Sequence, residues 1–172
     1  MNEKLRQFNK VELKEATRML LSCCANKNWA NAVVAARPFD DFESLRQQAR
    51  DAWAKSTGND KLEAFAAHPL IGDVELLRAR FGNAGDRANA EQGQVLGADD
   101  LILEELADLN IRYQQRHGFI FIVFASGKSA EEMLGLLRER INRSTMEEME
   151  AAAAEQMKIT ELRLTNLLAE ED

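Results

Sequence analysis

Apolar side chains recur at three- and four-residue intervals along nearly all of this chain, and very little interrupts them. That period is the mark of helices burying one face, and only two prolines and nine glycines occur among 172 residues to break it. Between Val11 and Ala25, the side chains of Leu13, Thr17, Leu20, Leu21 and Cys24 repeat at helical spacing. Asn28 to Ala36 makes a shorter helix that must end before Pro38, because a residue preceding proline is pushed out of the helical region. Asp40 or Asp41 can cap a third helix reaching about Lys55, with Phe42, Leu45, Ala49 and Trp53 as its apolar stripe. Ser56 to Asn59 reads as a turn, and a fourth helix from about Asp60 runs into His68-Pro69, where proline stops it.

A short helix is expected from Asp73 to Phe81, then a break at Gly82 to Asp86 and a helical piece from Asp86 to Val95. Asp99 or Asp100 starts a long helix to Arg116, closed by His117-Gly118. Ser129-x-x-Glu132 and Ser144-x-x-Glu147 are capping boxes, in which hydroxyl and carboxylate satisfy one another's orphan amides. They start helices at about 130 and 145, the second running toward Leu168. FIFIVFA, residues 119–125, is the one segment of strand-like composition. With no second strand to pair with, it is expected as a buried extended segment or as the apolar start of the next helix. The expected fold is all-α, with residues 1–172 forming a single-domain bundle of about eight to nine helices.

Charge narrows the partners. Lys and Arg number 22 against 29 for Asp and Glu, a net of −7, which speaks against nucleic-acid or anionic-membrane partners. Residues 144–172 hold eight of those acids and two bases, leaving 21 acids and 20 bases elsewhere. An anionic substrate therefore needs a local cation, and Arg163 stands inside the acidic helix. Cys23 and Cys24 are adjacent, which gives neither a disulfide framework nor zinc-ligand spacing, and two histidines exclude a His-rich metal site. Met1 to Lys10 lacks the apolar run of a signal peptide, and no stretch approaches the ~20 apolar residues of a membrane helix. A reducing, cytoplasmic location is expected.

No P-loop, dinucleotide fingerprint, H-E-x-x-H, G-x-S-x-G or calcium-loop pattern is present. His68 stands between a helix end and a proline-rigid turn, HPLIGD. It can serve as a helix cap, or as a proton donor whose charged form the helix dipole favours. His117, at another helix end, reads as a surface cap. Glu91 and Gln92 form an acid–amide pair in a polar stretch that also reads as a solvated face. Arg163 lies between Leu162 and Leu164, either as a surface ion pair or pointing inward to grip a carboxylate.

Five segments carry a resemblance: FAAHPLIGD at 65–73, AEQG at 90–93, LADLNIRYQQRHGFIFIVFASG at 106–127, RERINRS at 138–144 and KITELRL at 158–164. In this order, over about Phe8 to Leu168, the chain resembles the OHCU decarboxylase family. Those enzymes act on 2-oxo-4-hydroxy-4-carboxy-5-ureidoimidazoline (OHCU) in urate breakdown, a part of purine catabolism. The resemblance implies an all-α, cofactor-independent lyase that forms (S)-allantoin, needs no metal and is often a homodimer. It implies His68 and Glu91 as catalytic residues. Pro69, Ala88, Glu91, Gln92, Phe121, Ile122, Val123, Phe124, Ala125 and Arg163 are the implied substrate-binding set. Ala88 stands where the family commonly has serine, Ile120 where it has proline, and Phe124 and Ser126 where it has cysteine and arginine. Two alternatives stay open: an inactive helical homologue serving as an interaction module, and a decarboxylase of a related hydroxy acid.

Overall fold

The computed structural model describes residues 3–70, 72, 74–81 and 95–169, with 95–99 described through their backbone alone. Among these residues there are nine helices and no strand: α1 (Glu3–Lys10), α2 (Leu13–Cys23), α3 (Lys27–Ala35), α4 (Phe42–Ala54), α5 (Gly58–Ala66), α6 (Val74–Phe81), α7 (Val95–His117), α8 (Ala130–Arg140) and α9 (Thr145–Leu168). The all-α expectation holds. None of these helices is long and apolar enough to cross a membrane. The chain divides into two compact units, one of residues 1–67 and 153–172, the other of residues 68–152. Thr145 to Ala152 of α9 count with the second unit and Ala153 onward with the first.

In the first unit α3 packs against both α2 and α4. Leu20, Trp29, Val33, Leu45, Ala49, Trp53 and Phe65 fill its core. Both indoles are buried with their polar edge satisfied, Trp29 Nε1 donating to the Ala49 carbonyl (3.0 Å) and Trp53 Nε1 to that of Ala153 (2.9 Å). The helix α1 was not expected. It buries only Leu5 and Phe8, and its last turn is finished by a distant side chain: Arg37 Nη1 donates to the carbonyls of Phe8 (2.6 Å) and Val11 (2.9 Å). The expected turn at Ser56 to Asn59 is also corrected, since α5 begins at Gly58. Thr57 is its N-cap, and its hydroxyl and the Asp60 carboxylate close a capping box that draws Gly58 and Asn59 into the helix.

In the second unit α7 packs against α6 and α8. Leu77, Leu106, Tyr113, Phe119, Ile122, Met133 and Leu137 are buried there. The start of α7 is Val95, not Asp99 or Asp100. Its end is as expected: Gly118 takes φ +79° and donates its N–H to the Gln114 carbonyl (2.9 Å), a left-handed cap that a side chain would strain. Both serine capping boxes form, at Ser129–Glu132 and Ser144–Glu147. The expected break at Gly82 to Asp86 and the helical piece up to Val95 lie almost wholly outside the described residues.

Candidate active site

His68 and Pro69 follow directly on the C-cap of α5, Ala67, so the helix ends before the histidine rather than running into it. His68 is half-buried, Pro69 exposed. Beyond them the turn passes close to α7. A Cβ added at Gly72 would stand 3.1 Å from Ile111 Cγ1, tighter than ordinary contact. Glycine in HPLIGD thus lets the backbone after His68 lie against α7. Ala88, Glu91 and Gln92 lie outside the described residues.

The segment 119–125 is neither helix nor strand, so it is not the apolar start of the next helix, which begins only at Ala130. Phe119 to Ile122 are buried, while Val123, Phe124 and Ala125 are half-buried. Belonging to neither helix nor sheet, it takes its fixed points from side chains. Arg140, the last residue of α8, donates from Nη1 to the Ile122 carbonyl (2.9 Å), and its guanidinium lies 4.6 Å from the centre of the Phe121 ring. The other edge of that guanidinium faces Glu148 of α9, with Nε 2.9 Å and Nη2 2.8 Å from Oε2. Tyr113 of α7 donates its hydroxyl to the same oxygen (2.5 Å). Arg143 Nη1 stands 3.8 Å from Glu148 Oε1. Arg140 is 5% exposed and Glu148 0%. Burial first, and then the bond to Glu148, raise the Tyr113 phenol well above its ordinary range, so it stays a donor.

His117 corrects its sequence reading. It is 6% exposed, not a surface cap. Its Nε2 lies 3.2 Å from the Ile141 carbonyl and its Nδ1 3.1 Å from the Thr145 hydroxyl. A carbonyl can only accept, so Nε2 carries the proton, and in the neutral ring Nδ1 accepts from Thr145. Its ring packs 4.4 Å from that of Tyr113.

Arg163 belongs to the first unit and His68, Pro69 and residues 121–125 to the second. Exposed over much of its length, Arg163 donates from Nη1 to the Cys23 carbonyl (3.2 Å) at the end of α2, where a cation complements the helix dipole. The two cysteines are buried and unbridged. Burial pushes the Cys24 thiol up to about 12 and raises that of Cys23, so neither is a nucleophile at neutral pH. Among the described residues no group of three or more His, Cys, Asp or Glu is placed to hold a metal ion. A groove of about 610 Å³ between α7 and α8, lined by Glu105, Leu109, Arg112, Arg138 and Ile141, contains none of the candidate residues.

Sequence reasoning missed Tyr113, Arg140 and Glu148. The RERINRS motif held the arginine, but nothing local marks its partners as converging on residues 119–122.

The model of the OHCU decarboxylase family matches residues 9–165. The chain is 38% identical over 152 residues to the uric acid degradation bifunctional protein TTL of Arabidopsis thaliana, covering 86% of this chain and 46% of that protein. It is 33% identical over 143 residues to a human putative 2-oxo-4-hydroxy-4-carboxy-5-ureidoimidazoline decarboxylase, covering 81% and 80%. The chain spans less than half the length of the Arabidopsis relative and 32% of a Bacillus uric acid degradation bifunctional protein. A crystal structure of OHCU decarboxylase in the presence of (S)-allantoin superposes with a TM-score of 0.71 at 33% identity, over 93% of this chain and 100% of that one. A helical chain matched by the family model from residue 9 to residue 165, with the solved enzyme's whole length covered, belongs to the OHCU decarboxylase family.

Proposed function

We propose that this chain removes CO2 from 2-oxo-4-hydroxy-4-carboxy-5-ureidoimidazoline and gives (S)-allantoin. The observation that carries the reading is its likeness to the solved OHCU decarboxylase, whose whole chain it covers at 33% identity. Breaking the bond to the carboxylate leaves an electron pair on a ring carbon that bears a hydroxyl. An adjacent C=N or carbonyl takes up that pair, and a proton must reach one face of the ring. Catalysis is then orientation of the carboxylate, stabilisation of developing charge and stereospecific proton delivery.

In this reading His68 positions the leaving carboxylate or supplies the proton, and Glu91 engages the substrate hydroxyl. Gln92 and Arg163 fix the ring and its polar substituents, with Pro69 and Ala88 beside them. The backbone of Phe121, Ile122, Val123, Phe124 and Ala125 meets the ureido and ring groups. The place of His68 supports its role, because the helix end before it and the proline after it restrict where its ring can go. We take residues 1–172 as one domain and the working assembly as a homodimer.

OHCU generated in place from urate provides the test. The chain should accelerate the appearance of (S)-allantoin, followed by circular dichroism. Racemic product at the spontaneous rate would overturn the reading. His68→Ala and Glu91→Ala should each lower turnover about 10²- to 10⁴-fold, the usual contribution of a positioned acid or base. Near-normal turnover in both variants would remove them from the chemistry.

A further inference from the structure

We propose that Arg140, backed by Glu148 and Tyr113, is a positioning residue for this decarboxylation, acting through the carbonyl of Ile122 on the backbone that meets the substrate. The inference rests on the functional reading above. A segment outside any helix or sheet must find partners elsewhere for the peptide groups that it buries. At Ile122, which is 2% exposed, that partner is the Arg140 guanidinium. The peptide joining Ile122 to Val123 is planar and trans, so its C=O and N–H point in opposite directions. Fixing the Ile122 oxygen on Arg140 therefore fixes the Val123 N–H on the far side, where the chain passes from buried to half-buried.

The choice of residues favours positioning over stability. A buried ion pair is a weak source of stability, since apolar side chains of similar size often hold a core as well. What a guanidinium does and an apolar group cannot is span a carboxylate and a carbonyl with donors in one rigid plane. Here Nε donates to the Glu148 oxygen that Tyr113 also bonds, Nη2 stands in ion-pair range of that oxygen, and Nη1 donates to Ile122. The Tyr113 ring meets Phe121 edge-on at 5.2 Å and Phe119 at 5.9 Å. Groups from α7, α8 and α9 thus converge on one short stretch of backbone.

Two variants separate this role from a merely structural one. The triple replacement Tyr113→Phe, Arg140→Met, Glu148→Leu removes the whole polar set and is expected to fold. Its KM should rise about tenfold or more while kcat stays within about threefold, because the ring and ureido contacts are displaced and not the groups at the carboxylate. The second variant, Arg140→Lys, keeps the charge beside Glu148 but lacks the planar fork. It should show a raised KM and faster amide hydrogen exchange confined to residues 121–125. An unchanged KM in a folded triple variant overturns the assignment, whatever kcat does. Should the triple variant not fold, unchanged KM and exchange in Arg140→Lys overturn it instead. A wild-type chain without activity sinks the functional reading, whereas an active wild type with unaltered variants sinks only this assignment.

Discussion

Thr57, Asn28 and Asn26 all donate to the carboxylate of Asp60, the first through both its amide (2.8 Å) and its hydroxyl (2.7 Å). The Thr57 hydroxyl bond, then the Thr57 amide and the asparagines, hold the Asp60 pKa at about 2, below its ordinary 3.8. A carboxyl depressed by folding contributes stability in full above the unfolded value and loses it as pH falls through the folded one. The contribution of Asp60 should therefore disappear between about pH 4 and pH 2. In Asp60→Asn the urea midpoint should fall less steeply over that interval than in the parent. An equal slope in both would show that the carboxylate is not the group titrating. Residue by residue, the sequence was most informative where a role depends on neighbours along the chain. His68 stood out because Pro69 adjoins it, whereas the burial of His117 depends on Ile141 and Thr145, which no local pattern connects to it. The Arg140 set was illegible for the same reason, its members lying on three helices.

At the scale of elements, a helix start written in side chains can be removed by one substitution. Ser129→Ala takes away the oxygen that accepts from the Glu132 amide and should cost about 1 kcal/mol, with a thermal midpoint lower by about 2–4 °C. A melt indistinguishable from the parent would mean that water replaces the cap without loss. Both serine boxes were readable because hydroxyl, carboxylate and amides all lie within four residues. Thr57 and Asp60 obey the same grammar, yet Gly58-Asn59 between them carries the composition of a turn, and the start of α5 was placed too late. The helix α1 shows the opposite case. Its two buried side chains make a thin stripe, and the group that completes its last turn, Arg37, comes from beyond α3. That residues 119–125 form no strand was foreseen from the lack of a partner, but not the arginine that supplies one of their bonds.

For the whole molecule, the proposal of one domain meets two compact units that share α9. Trp29 and Trp53 both report on the first unit, Tyr113 on the second. If residues 1–172 unfold as one domain, tryptophan fluorescence and the near-ultraviolet signal of tyrosine should give coincident urea transitions. Separate midpoints would divide the chain into two domains. The functional residues were legible at this scale mainly through the order of their motifs, since a lone His-Pro or Glu-Gln says little and composition says nothing about a decarboxylase. The buried guanidinium and carboxylate also bear on how such a sequence can change over generations. Losing either partner strands a charge in the core, at a typical cost of 3–5 kcal/mol, while exchanging both for apolar groups is close to neutral. Substitutions at 140 and 148 are thus epistatic for folding, each destabilising on its own and tolerated by the fold only together, with the raised KM still acting against the pair. Drift at these two positions is held back by the improbability of a paired change, so the link between them can persist longer than the rest of the core around it.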